Sequence, residues 1–144
     1  MEDAADQSDL VDWAAFSRAR SELGGNFIRI LGYFREDGEK SVARIEEAMH
    51  ARNAAALVLP AHTMKSESRQ FGAMPLAAIP ERIEEAARLA VENRMFPDDI
   101  LPQVARLRPL YAETMSLFDR ESNPLAQRRP STLRAANNQE FGRL

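Results

Sequence analysis

The chain has 144 residues, 44% of them hydrophobic and 28% charged, with a formal net charge of −3 at pH 7; that balance describes one soluble globular domain large enough to bury a core. It contains no cysteine, which excludes disulfides, thiolate nucleophiles and cysteine-based zinc sites. The longest apolar run, residues 54–59, is too short to span a bilayer, and the acidic N-terminus lacks a signal-peptide pattern, so a cytoplasmic protein is expected.

Apolar residues recur at helical spacing almost throughout, and no segment alternates as a strand does. Residues 1–7 are polar and expected to be disordered. Ser8 is placed to cap a first helix with Leu10, Trp13 and Phe16 on one stripe, running to Leu23 before Gly24-Gly25. A second pattern steps through Phe27, Leu31, Phe34, Gly38, Val42, Ile45 and Met49. Gly38 keeps the register, so one helix of roughly 40 Å is expected at 1.5 Å per residue. A third helix covers about residues 54–71, with Leu57, Ala61, Met64, Ser68 and Phe71 along its buried seam. The fourth begins near Met74 with Pro75 in its first turn and a seam of Leu76, Ile79, Ile83, Ala86 and Ala90. Pro80 removes one backbone hydrogen bond there and predicts a kink. The stretch "FPDDILP" opens a fifth helix with acidic residues facing its dipole and a stripe of Leu101, Val104, Leu107, Tyr111, Met115 and Phe118. Pro109 is a second kink candidate.

The expected fold is therefore all-α: an up-and-down four-helix bundle with an additional N-terminal helix over residues 8–121, then a flexible basic tail over 122–144. The tail holds Arg128, Arg129, Arg134 and Arg143 against Glu140, a net of +3, which leaves −6 for the rest of a chain whose total is −3. An acidic body argues against nucleic-acid binding.

The two histidines, His50 and His62, lack a matching ligand set, so no metal site is expected. His50 stands at the end of the second helix, where interaction with the helix dipole accounts for it. His62 falls roughly 130° from the seam of its helix, on the solvent side, one turn from Lys65 and Ser66, with Arg69 flanking the same seam. A neutral imidazole, with a reference pKa of about 6.5, offers a free ring nitrogen at cellular pH. No acidic residue sits three or four positions further along the helix, and the neighbouring ammonium attracts an incoming anion. That pattern suits transfer of a phosphoryl group to histidine. No glycine-rich phosphate loop or nucleotide fingerprint appears. The pairs Glu46-Glu47 and Glu84-Glu85 read as solvated, without acid–base work.

These residues resemble the histidine-containing phosphotransfer (HPt) domains of multistep phosphorelays, whose central pattern runs A-H-x-L-K-G-S-A/S-x-x-L-G-A. Here it reads Ala61-His62, Met64, Lys65, Ser68, Phe71 and Gly72-Ala73, continued by Leu76, Ile79 and Ile83-Glu84; Leu23-Gly24 fits the turn between the first two helices. The resemblance covers roughly residues 9–118. Ser66 replaces the family glycine, and Glu67 and Arg69 stand where small residues are common. The resemblance implies a phosphoryl carrier without ATP-dependent kinase activity of its own. His62 would be the nucleophile, Lys65 would offset phosphoryl charge, and Ser66 and Arg69 would border the docking surface. Implied partners are receiver domains of response regulators and of a hybrid histidine kinase, met by a monomer with neither nucleic acid nor membrane involved. It implies no cofactor of its own, with magnesium supplied by the receiver. The alternatives are a non-catalytic adaptor that binds receivers without transfer, with Ser66 marking the loss, and the phosphoacceptor module of a chemotaxis-type kinase.

Overall fold

The computed structural model describes residues 9–122; the expectations for residues 1–7 and for the tail beyond Ser122 fall outside them. Five α-helices lie wholly among the described residues, in order α1 Trp13–Leu23, α2 Phe27–His50, α3 Ala54–Gln70, α4 Met74–Glu92 and α5 Leu101–Ser122. Short 3-10 turns at Gly24–Asn26 and Asp98–Ile100 precede α2 and α5. The fold is the all-α helical bundle expected from the sequence. The chain forms two compact units, residues 1–114 and 115–144. Within the second, the described residues are the last two turns of α5.

Ser8, the expected cap, lies outside the described residues; α1 starts at Trp13, because Asp12 is extended and its side chain accepts hydrogen bonds from the Ala14 and Ala15 amides, satisfying donors that the first turn leaves open. The same residue ties α1 to the end of α3, with the Asp12 amide donating to the Gly72 carbonyl at 2.8 Å. Gly72 has φ +81, and a Cβ there would stand 2.6 Å from the Asp12 carbonyl oxygen. Only glycine combines that backbone with so close an approach. The Gly-Ala pair that closes the histidine motif is thus where α1 docks.

α2 is unbroken through Gly38. The ring of Tyr111 on α5 lies against the Gly38 backbone, where a Cβ would come within 2.5 Å of its Cε1, and its hydroxyl donates to the Arg35 carbonyl. Gly32 on the same helix has open space around it. The two glycines should therefore respond oppositely to alanine. Gly32→Ala should stabilise by about 0.5–1 kcal/mol through helix propensity. In Gly38→Ala the same gain meets an overpacking cost of about 1–3 kcal/mol, so a net loss is expected. Chemical denaturation of the two variants checks this; a Gly38→Ala protein as stable as the parent would remove Tyr111 from this role.

The helices alternate in direction. Arg69 pairs with Glu81 and Lys65 with Glu84, so numbers rise on α4 as they fall on α3. Likewise Arg108 of α5 reaches Glu39 and Glu46 of α2, while Tyr111 meets Gly38. The seam of α3 is buried as expected from Leu57 to Phe71. Phe71 stacks on Phe34 at 5.4 Å and meets Phe27 edge-on at 6.0 Å, an aromatic core that pins the C-terminal end of α3. Pro60, Pro80 and Pro109 all lie inside continuous helices.

The stripes differ from expectation in places: around α1, Val11, Ala15, Phe16 and Ala19 are buried while Leu10 and Trp13 are half-buried, and α2 closes on Ala48 rather than Met49. On α4 the seam passes through Ala87 rather than Ala86, because the step from Ile83 is four residues. On α5 Leu101 is 57% exposed and Ile100 is buried in its place. The 3-10 turn at Asp98–Ile100 shifts the phase just before the helix begins. It also places Asp98 against Arg52 at 2.6 Å, so this acidic residue serves an ion pair as well as the approach to α5.

Candidate functional site

His62 lies midway along α3, its side chain 51% exposed, on the face that periodicity turned away from the seam. Asn53 starts this helix by accepting a hydrogen bond from the Ala56 amide. The buried seam of Leu57, Ala61 and Met64 then fixes its rotation. With those residues inward, His62, Ser66 and Arg69 are exposed and Lys65 lies at the boundary.

The face is not open on all sides. Glu84 of α4 rises beside it with only 7% of its side chain exposed, and its Oε2 lies 2.9 Å from His62 Nδ1. Lys65 Nζ stands 2.8 Å from Oε1, and Arg88 donates from Nε and Nη2 to Oε2 at 3.0 and 2.8 Å. Burial pushes the Glu84 carboxyl up, but the hydrogen bonds from Lys65, Arg88 and His62 together outweigh it and hold the group down at about 2. Glu84 is therefore a carboxylate across the physiological range and can only accept hydrogen bonds. His62 Nδ1 must be the donor. In the neutral ring that leaves the lone pair on Nε2, and no group among the described residues bonds to Nε2. A carboxylate–imidazole pair of this kind orients the ring and strengthens the electron donation of its far nitrogen. The arrangement turns a ring nitrogen with a free lone pair toward solvent.

The family model for the Hpt domain matches residues 29–114, from the start of α2 to α5 and across the whole site. The chain belongs to the Hpt domain family. Its fold is that of the crystal structure of histidine-containing phosphotransfer protein B from Pseudomonas aeruginosa PAO1. The two share a TM-score of 0.68 and 24% identity over 78% of this chain and 93% of that one. Comparison with curated proteins gives no match. Hpt domains act in histidine phosphotransfer within phosphorelays, as phosphoryl carriers and not as kinases, and interact with receiver domains.

Within this Hpt domain the anticipated residues separate. His62 and Lys65 are joined, through a carboxylate that was not among the expected site residues. Glu84 was expected to be solvated; it is buried because α4 turns Ile83 and Ala87 into the core and carries Glu84 to the α3 boundary. The acid that α3 lacks one turn beyond His62 is supplied by the neighbouring helix. Lys65 is only 19% exposed and engaged with Glu84, so its ammonium is already ion-paired before any phosphoryl group arrives. Arg69 is engaged with Glu81, one turn along, and Ser66 is exposed between them. Arg88 was also missed; the four-residue spacing from Glu84 was its only signal in the sequence. Glu46, another acidic residue expected to be solvated, accepts two hydrogen bonds from Arg108. No cluster of three or more potential metal ligands occurs among the described residues, and no helix among them is long and apolar enough to cross a membrane.

Proposed function

We propose that His62 Nε2 accepts a phosphoryl group from the phospho-aspartate of a receiver domain and passes it to another receiver. The observation that carries this reading is the Nδ1–Glu84 hydrogen bond, which leaves Nε2 as the exposed nucleophile. In the forward step the Nε2 lone pair attacks phosphorus, an N–P bond forms and the P–O bond to the aspartyl carboxylate breaks. Phosphoryl transfer of this kind needs little from the protein beyond alignment and charge compensation. Glu84 supplies the alignment. Lys65, and Arg88 at the rim, supply positive charge whose balance with Glu84 shifts toward the phosphoryl oxygens as they arrive. Ser66 and Arg69 border the surface on which the receiver docks. The receiver brings the magnesium ion that its own acyl phosphate chemistry uses.

Incubating the protein with a receiver phosphorylated by a small-molecule phosphodonor, without ATP, tests the proposal. The expected product is label on this chain that is stable to base and lost in acid. Receiver binding without label would favour the adaptor. Label obtained only with a kinase domain and ATP would favour the chemotaxis-type module.

A further inference from the structure

The Nδ1–Glu84 bond holds one side of the His62 ring toward α4, so Nε2, across the ring, faces away from it. The charged donors around the ring are already engaged. Lys65 is held by Glu84, Arg88 donates from Nε and Nη2 to the same carboxylate, and Arg69 is paired with Glu81. Thr63, the next residue, lines the groove toward α2 together with Lys40 and Arg44. Ser66 stands between these groups. It is exposed, and its hydroxyl bonds to nothing among the described residues. Thr114, by contrast, turns its hydroxyl back onto the Leu110 carbonyl of its own helix.

The helix itself sets Ser66 beside Nε2. α3 is continuous from Ala54 to Gln70. At 100° per residue, Lys65 lies roughly 60° round from His62 on the α4 side, and Ser66 roughly 40° round on the other. Residues four apart on a helix have Cβ atoms about 5–6 Å from each other. Helical side chains also lean toward the N-terminus, so the Ser66 hydroxyl overhangs the turn that carries His62.

We propose that, once Nε2 carries a phosphoryl group, the Ser66 hydroxyl donates a hydrogen bond to one of its oxygens, which makes Ser66 a phosphoryl-binding residue. The inference rests on Nε2 as the acceptor atom. Ser66 forms no covalent bond in this role: the N–P bond stays on His62 and the serine proton stays on Oγ. Unlike Lys65 and Arg88, the hydroxyl meets the phosphoryl oxygens without first leaving a carboxylate. A bond made only in the phosphorylated form stabilises that form, and a net hydrogen bond of ordinary strength shifts the equilibrium by about 3- to 10-fold. Donation to the charged oxygens also favours the dianion, so the phosphoryl group takes up its proton at a lower pH.

The test compares the full chain with Ser66→Ala, Ser66→Gly and Ser66→Thr. His62 is loaded with phosphoramidate, which needs no receiver, and the phosphoryl titration is followed by phosphorus NMR. The expected midpoint is lower in the parent than in Ser66→Ala and Ser66→Gly by about 0.5–1 unit, with Ser66→Thr close to the parent. Equilibration with a phosphorylated receiver should leave about 3- to 10-fold less phosphate on Ser66→Ala, relative to the receiver, than on the parent. Equal midpoints in the parent and Ser66→Ala overturn the proposal. So does a gap between Ser66→Ala and Ser66→Gly as large as that from the parent, which would make bulk the cause. Acid-stable label that disappears in Ser66→Ala overturns it too, because the hydroxyl would then be an acceptor of the group itself. If the receiver labels neither protein while phosphoramidate labels both, the transfer reading fails and the titration still decides the role of Ser66. If phosphoramidate does not load His62, both are overturned.

Discussion

His62→Gln is expected to eliminate phosphoryl uptake completely while leaving the bundle folded. The chemistry follows from the nucleophile itself, since an amide nitrogen has no available lone pair with which to attack phosphorus. The stability expectation follows from what surrounds it. Half of the His62 side chain faces solvent, and its hydrogen bond goes to a carboxylate that retains Lys65 and Arg88. A glutamine amide can also donate to Glu84, so a loss of no more than about 1 kcal/mol is expected. Transfer from a phosphorylated receiver, read as acid-labile label alongside a denaturation curve, measures both. Residual label on the folded variant would move the acceptor elsewhere, with His50 at the last turn of α2 the first alternative.

Most of what positions this histidine was legible in the sequence. The seam of α3 is a run of five residues at strict helical intervals, and fixing which face is buried fixes where His62 points. α2 was equally legible, because every residue of its stripe from Phe27 to Ile45 is buried, Gly38 included. Periodicity works in these cases because burial is a property of one helix face. It fails where the determinant lies between helices. Nothing local distinguishes Glu84 from Glu85; only the antiparallel packing of α4 on α3 brings one to the histidine and leaves the other in solvent. The Asp12 cap of α1 was missed for another reason: it is held in place by Gly72, far along the chain, whose carbonyl receives the Asp12 amide.

Glu84→Gln is expected to damage both transfer and stability, and the two effects separate by pH. The substitution keeps the volume of the side chain but removes the charge on which His62, Lys65 and Arg88 converge. Lys65, only 19% exposed, loses its counter-ion. Breaking a buried pair from one side costs roughly 3–5 kcal/mol; the lower end applies because His62 and Arg88 are about half exposed and recover solvation. A glutamine can also present its amide to Nδ1, forcing the proton onto Nε2 and closing the nucleophile. Loss of comparable carboxylate partners behind histidines costs on the order of 10- to 100-fold, and a loss of that size is expected in the single-turnover rate from a phosphorylated receiver. The parent carboxyl is held down at about 2 against an ordinary value of 4.5. Its contribution is therefore full above 4.5 and is lost as pH falls toward 2. The parent should accordingly lose stability through that acid window more steeply than Glu84→Gln, so that the two denaturation midpoints converge at low pH. A constant gap between them at every pH would mean that Glu84 acts by shape alone. A normal transfer rate in the folded variant would mean that Lys65 and the exposed ring suffice without an orienting carboxylate.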